Sequence, residues 1–455
     1  VDSVAVQQDS LLGRRGVVVP LSEVEQTAYV RIDSTMTLEQ AFEPKGFLAR
    51  FVKEDEEERE EKRRRRRERR NRRQGQQGQD TKKPVHFNPL KNLKPQVWYN
   101  RVDGAHLGIR KTLQANWLKL SGVGAYNTGI KRWSIQGVAK FSWGERQRGF
   151  LELDYLRGSE KRYQSHLFSR WHTSTLPLLG KDDYFDFFWN KRLNTKAGYR
   201  FRTLDTTVSA GVNVERHRSL AETTHYTLFG NDFARRVNPA IDPGRLRSVV
   251  FRARMNKTGD EEPIFVGRKQ VDVIVEHSRP GFFSSDFSFT RYHFLFDWRF
   301  NTFFRRRLLP NVLDIRIVGG TSTGRLPLQR FGILDTSLGS YKSFGGFRAF
   351  PNRPYEGGHY LGFYWMHNFR TVPFEILGLR SLAKNGISLS IHGGHGRTWM
   401  SDERRASLTY TPQYIDRFHH ELGGSINGLW GLGRVDFTKR LDTSGFYVGW
   451  GLQLF

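Results

Sequence analysis

From Val97 onward the chain is written in alternation. In Phe287 to Phe300, Tyr292, Phe294, Phe296, Trp298 and Phe300 share one parity. Arg291, His293, Asp297 and Arg299 share the other, with only Leu295 apolar among them. Successive side chains of a strand point to opposite faces, so this segment predicts a strand with an aromatic side and a charged side. Trp133, Ile135, Ala139 and Phe141 oppose Ser134, Gln136, Lys140 and Ser142 in the same way. The pattern returns around Tyr199, Val208, Val249, Val271, Leu313, Ile387 and, at the end, Phe446, Val448, Trp450, Leu452 and Leu454. Helical spacing is nearly absent, and only Pro373 to Lys384 predicts a short helix.

Two all-β architectures satisfy period two. A soluble sandwich turns its apolar parity into a dry core, whereas a membrane barrel turns it to lipid and lines a wet lumen with the polar parity. The apolar parity here is rich in rings near strand ends, and the polar parity carries Arg in many separate strands. Connections alternate between long stretches (157–182, 217–244, 318–357) and tight turns such as Gly144-Glu145 and Asp442-Thr443. Residues 97–455 divided among about 16 strands allow roughly 22 residues each, enough for a strand and half of each loop. The expected fold is therefore all-β, a closed antiparallel transmembrane β-barrel of about 16 strands with a short, partly helical N-terminal extension.

The extension, 1–96, has a different composition. Ser22 and Glu25 are spaced as a capping box ahead of Val24, Ala28 and Ile32, and a second short helix is expected near Thr37 to Phe42. Lys53 to Arg73 holds 12 Lys or Arg and 8 Asp or Glu, acids mostly first, and Gln74 to Gln79 reads as a flexible linker. The Arg63 to Arg67 run invites a nucleic-acid reading, but charge blocks of this kind are usually solvated tails. No recognition helix or RNP pattern accompanies it, so no nucleic-acid partner is expected. The chain opens on Val1 without a basic-plus-apolar leader, and a signal peptide is expected to have been removed or to lie outside this sequence.

Composition narrows the chemistry. Among 455 residues there is no Cys, which excludes a disulfide framework, thiol catalysis and Cys-ligated metals. Lys and Arg exceed Asp and Glu by 27, spread along the chain rather than gathered on one segment. Aromatics make up 14%, which a polar basic domain does not need.

Three motifs, in order, resemble one family. Val97-Trp98-Tyr99-Asn100-Arg101-Val102-Asp103-Gly104 followed by Leu107-Gly108 resembles the first strand of BamA-like barrels, the outer-membrane assembly and bacterial surface antigen superfamily. Leu326-Pro327, Arg330-Phe331 and Phe344-Gly345-Gly346-Phe347-Arg348-Ala349-Phe350 resemble its sixth-loop region. Glu421-Leu422-Gly423-Gly424 through Arg434-Val435-Asp436-Phe437 to Phe455 is similar to its last strands. The resemblance implies that the sixth loop folds back inside the barrel, with Gly345, Gly346, Phe347, Arg348 and Phe350 as its lumen motif and Arg348 seeking an acid on the inner wall. Ala349 stands where the family has Gly, and the wall strand around Ile391-His392-Gly393-Gly394-His395-Gly396 has no acid. Asp436 and Glu421 are the substitute wall partners. Residues 1–96 lack the repeated β-α-α-β pattern of POTRA modules.

Catalytic signatures fare poorly. Gly320-Thr321-Ser322-Thr323-Gly324 matches a nucleophile elbow on paper, yet Arg325-Leu326-Pro327 cannot begin the helix that an elbow requires. His392 and His395, three apart on a strand, point to opposite faces, and His419-His420 likewise diverge. No Walker loop, calcium loop or zincin motif occurs. The expectation is a barrel without enzymatic activity, cofactor or metal, in the outer membrane of a Gram-negative bacterium with its N-terminus periplasmic. It would insert or pass polypeptides through a soft seam at the closing strand, marked by Gly449, Gly451 and Phe455, or anchor an envelope complex. Expected partners are outer-membrane lipid or lipopolysaccharide and client or complex polypeptides. The alternatives are a passive anion-favouring pore and, in another class, a surface hydrolase using Ser322.

Overall fold

The structure, a computed structural model, describes residues 93–452 except 169, 182, 203–204, 231–235, 257–268, 282–283, 304–309 and 352. The expected N-terminal helices, charged segment and linker, together with Phe455 and the Phe350 side chain, lie outside the described residues. Among the described residues, sixteen antiparallel strands form one sheet in chain order. They are β1 (Leu93–Asn100), β2 (Gly104–Gln114), β3 (Leu118–Asn127), β4 (Arg132–Trp143), β5 (Gly149–Lys161), β6 (Phe187–Phe201), β7 (Thr206–Ser219), β8 (Gly244–Asn256), β9 (Gln270–Ser278), β10 (Phe289–Asn301) and β11 (Val312–Gly324), then, after the sixth loop, β16 (His359–Arg370), β17 (Ser388–Trp399), β18 (His419–Leu429), β19 (Gly433–Arg440) and β20 (Phe446–Leu452). The sixth loop itself holds β12 (Gly332–Leu334), β13 (Thr336–Ser337), β14 (Phe347–Pro351) and β15 (Tyr355–Gly357).

Parity decides what each strand exposes. On β10, Tyr292, Phe294 and Phe300 are exposed while Leu295 and Asp297 are buried. On β8, Phe251 is 56% exposed beside the fully buried Ser248. On β20, Phe446, Val448 and Trp450 all lie more than half exposed. Water-soluble folds bury such parities, and this sheet turns them outward across nearly every strand. The opposite parity is buried and ionic, with Glu215, Asp272, Glu276, Asp297, Asp314, Arg316, Glu421, Arg434 and Asp436 among its members.

The buried apolar clusters lie between loops and the inner wall. One joins Val102, Tyr163, Phe168, Tyr184, Phe185, Phe187 and Ile333. A second joins Leu295, Val318, Leu334, Phe347, Tyr355, Tyr360 and Tyr364. Each ring buried this way contributes on the order of 2–3 kcal/mol, so the loops are held as firmly as a core.

Connections differ by end. One end carries 162–186, 220–243, 325–358 and 400–418; the other carries short turns such as 115–117, 144–148 and 202–205, and there the chain enters β1. Helices are more numerous than the sequence pattern predicts. Besides α2 (Val372–Ile376) and α3 (Arg380–Lys384), which fall in the expected stretch, α1 (Arg170–Leu178) and α4 (Asp402–Ala406) occupy long loops. Both are too short to show a clear period, and α1 contains Pro177, which disguises it. Among the described residues no helix is long and apolar enough to cross a membrane.

Among the described residues the sheet has two edges, β1 and β20, and these are not hydrogen-bonded to one another. Each edge is met by another part of the chain. The Tyr99 N–H of β1 donates to Ser174 Oγ of α1 at 3.2 Å. At β20, Trp450 N–H donates to Ser340 O at 2.8 Å and Lys342 N–H donates to Trp450 O at 2.6 Å, a short parallel bridge centred on Tyr341.

Candidate functional site: the sixth loop and the seam

The sixth loop enters the concave side of the sheet because its own sequence alternates anchors. Arg330 reaches Glu215 of β7 at 2.6 Å and Glu276 of β9 at 3.2 Å. Phe344 then lies under the Arg316 guanidinium, which pairs with Asp297 at 2.5 Å. Gly345 follows with φ 92°, and a Cβ there would overlap the Arg316 guanidinium, so the turn demands glycine twice over. Gly346 packs against Leu167 and the Asp335 carbonyl. Phe347 is fully buried among Tyr355, Tyr364 and His419.

Arg348 is gripped at two places by two acids. Its Nη1 pairs with Asp436 Oδ1 of β19 at 2.6 Å, and both side chains are buried. Asp436 also accepts from Arg434 Nε at 3.0 Å and from Ser425 Oγ at 2.5 Å. Glu421 of β18 holds the loop backbone instead. Its oxygens accept the Arg348 N–H at 2.8 Å and the Ala349 N–H at 2.9 Å. Lys342 Nζ completes the knot by donating to the Arg348 carbonyl at 2.6 Å. Buried charge is tolerated only when matched and hydrogen-bonded, and here two guanidiniums share one carboxylate while the other carboxylate caps amides.

The closing strand is shaped to receive the loop. A Cβ on Gly449 would overlap Lys342, and one on Gly451 would overlap the Lys342 carbonyl. Tyr341 meets Trp450 edge to face at 4.9 Å on the outward side, while Lys342 points to the buried side. Ser340–Lys342 therefore reproduces, over three residues, the parity of a sheet strand.

At the long-loop end a second ionic knot ties five connections together. Arg101, in the β1–β2 turn, is completely buried and pairs with Asp183 at 3.1 Å and Asp186 at 2.7 Å. Asp186 also takes Arg162 at 2.8 Å and Arg236 at 2.6 Å, and Arg162 bonds Glu356 of the sixth loop at 2.5 Å. Tyr410 of the 400–418 loop donates to the same Glu356 at 2.8 Å. Burial alone pushes the Asp186 carboxyl up, but Arg236, Arg162 and Arg101 hold it well below the usual carboxylate range. Asp335 goes the other way: burial raises it against hydrogen bonds involving Ser165, Tyr184 and the His166 N–H. Sequence reading missed this knot. The acids of Lys181-Asp182-Asp183-Tyr184-Phe185-Asp186, set among rings, were the available signal.

The remaining candidates separate. Ser322 lies within β11 and donates to the Gly358 carbonyl at 3.1 Å, while His359 Nδ1 sits 2.8 Å from Thr321 Oγ1. His392 is buried, 3.0 Å from Thr438 Oγ1. His395 faces outward and meets His420 at 2.9 Å, so these imidazoles part by parity. Several inner-wall arginines have acids, as Arg192 has Asp154 at 2.8 Å and Arg299 has Asp314 at 2.7 Å, while Arg110 bonds Gln96 and Arg370 the Pro310 carbonyl.

Residues 74–253 match the model of the C-terminal domain of a family of unknown function, DUF5686. No curated protein sequence matches the chain. Among solved structures, BamA from Haemophilus ducreyi lacking POTRA domains 1-3 is similar over 80% of this chain and 69% of its own, at 11% identity and a TM-score of 0.46. CdiB from Acinetobacter baumannii is similar over 79% and 59%, at 8% identity and a TM-score of 0.39. CdiB from Escherichia coli is similar over 80% and 62%, at 10% identity and a TM-score of 0.40. This chain spans about three fifths of the length of either CdiB chain.

Proposed function

We propose that the chain is an outer-membrane β-barrel of the BamA-like type whose seam, between β1 and β20, handles extended polypeptide. The observation that carries this reading is the inverted polarity of sixteen strands, rings outward and matched charge inward, which lipid around and water within would stabilise. Exposed Trp143, Tyr199, Phe201 and Phe300 mark the short-turn end of this face, and Trp133 and Phe446 mark the other, as two interfacial girdles require. From Tyr292 to Phe300 the apolar parity runs about 26 Å along the strand, or roughly 20 Å at a tilt near 40°. The short-turn end, where β1 begins, faces the periplasm.

The sixth loop braces the lumen and the seam is soft. Among the described residues neither edge strand is paired with its counterpart, and short own-chain segments meet both, as natural sheets protect edges from outside strands. A polypeptide in extended form would displace Ser340–Lys342 and add to β20 by main-chain pairing. The acid-paired inner-wall Arg192, Arg299 and Arg316 and the loop knots lend less support to an anion pore.

The test is a photo-crosslinking residue at Trp450 in native membranes. Adducts with polypeptides, lost when Ser340–Lys342 is locked to β20, support the seam. A partner-free Trp450 with steady, anion-selective conductance supports the pore instead.

A further inference from the structure

Near the long-loop end the outward face carries a row of cations across four adjacent strands. Arg157 of β5 stands opposite Lys191 of β6, Lys191 opposite Arg216 of β7, and Arg216 opposite Arg245 of β8. All four are exposed and lie near the long-loop end of their strands. Adjacent strands are about 4.8 Å apart, so the row runs roughly 14 Å across the sheet. Arg218, also exposed, sits two residues further toward the rim.

Like charges directly opposite one another destabilise a strand pair, and this row holds three such pairs in succession. On the inner wall of the same strands, cross-strand cations have carboxylates: Lys196 has Glu152 at 2.8 Å and Arg192 has Asp154. Among the described residues none of the four outward cations has an acidic side chain within ion-pair distance. Asp286 lies at the end of the row, where its Oδ2 accepts the Arg245 backbone N–H at 2.7 Å. One register step toward the middle of the sheet, β5, β6 and β7 present Tyr155, Leu193 and Val214 to the outside, while β8 presents Arg247 and turns apolar one step later at Val249. Cations thus border a ring-and-aliphatic belt, the arrangement that meets an amphiphile with an anionic head.

Resting on the barrel reading, we infer that Arg157, Lys191, Arg216 and Arg245 bind the phosphate groups of an outer-leaflet glycolipid, whose acyl chains lie on the belt beside them. Guanidinium forks match phosphate oxygens two at a time, and Lys191 adds a point charge. A headgroup with two phosphates would relieve the repulsion along the whole row.

The experiment uses the full chain in phosphatidylcholine nanodiscs and diphosphorylated lipid A as the probe. The variant R157Q/K191Q/R216Q/R245Q should bind lipid A about 100-fold more weakly. Without lipid A it should resist urea at least as well as the parent, because the repulsion is gone. A variant with the same charge change at exposed short-turn-end positions, K119Q/R146Q/R380Q/K384Q, should bind within about twofold of the parent. R216E, which pairs its neighbours internally, should lose affinity while gaining urea resistance. Equal loss in both quadruple variants, or none in the first, overturns the assignment while heat-modifiable migration in the discs leaves the barrel standing. A parent chain that does not enter the discs overturns the barrel reading and this site with it.

Discussion

Replacing Asp436 should cost more than replacing Arg348, although the two form one ion pair. Asp436→Ala leaves the buried guanidiniums of Arg348 and Arg434 facing each other with no carboxylate on β19 between them. Removing one partner of a buried pair costs about 3–5 kcal/mol, and with two cations stranded the upper part of that range applies. Arg348→Ala leaves Asp436 with Arg434 at 3.0 Å and Ser425 at 2.5 Å, and the loop backbone still holds Glu421. About 2–3 kcal/mol is expected there, for the lost charge-assisted bond and stem packing. A gap near 2 kcal/mol is a roughly 30-fold difference in folding equilibrium. Urea titration in detergent micelles, read by heat-modifiable gel migration, measures both. The double variant should cost less than the sum, since removing Arg348 eases what Asp436→Ala exposes. Equal costs, or a larger cost for Arg348→Ala, would show that Arg434 does not share the carboxylate.

Three further outcomes follow from the same geometry. Gly345→Ala should lower the free energy of unfolding by about 2 kcal/mol, from a left-handed Cβ and a displaced Arg316, and so shift the urea midpoint down; an unchanged midpoint would refute the tight turn. In this Cys-free chain, Y341C/W450C should oxidise readily, since bridged strand positions fall within disulfide reach; failure to form under mild oxidant in micelles would remove the loop from the β20 edge. Because the Asp186 carboxyl is depressed in the folded chain, its contribution is present above the unfolded value near pH 3.9 and disappears only as pH falls through the folded value. Limited proteolysis of the long loops should therefore stay slow at pH 4, and early cleavage there would count against the knot.

Strand parity was legible because period two is local: the rings of β10 and the Arg residues between them declare two faces within one segment. The same locality placed His392 and His395 on opposite sides. Distance along the chain hid the rest. Arg101 meets Asp183 and Asp186 more than 80 residues away, and nothing near Asn100-Arg101-Val102-Asp103 predicts a buried turn. Glu421 was readable as an acid on the wall, but its grip on backbone amides instead of the Arg348 guanidinium depends on the loop's approach angle. Gly449 and Gly451 signalled weak packing of the last strand, and in the fold they make room for Lys342. The parallel bridge at Tyr341 left no trace, since three residues are too few for a pattern. The cationic row was also invisible, because register, not sequence, aligns its four members.

Which face meets hydrocarbon is open to direct measurement by single spin labels placed along β8, from Arg247 to Met255, in lipid-reconstituted protein. With the 249 parity in lipid, collision with dissolved oxygen should be high, and with a water-soluble nickel reagent low, at 249, 251 and 253, with the order reversed at 248, 250 and 252. Labels at 249, 251 and 253 that favour nickel, or show no two-residue period, would contradict that placement.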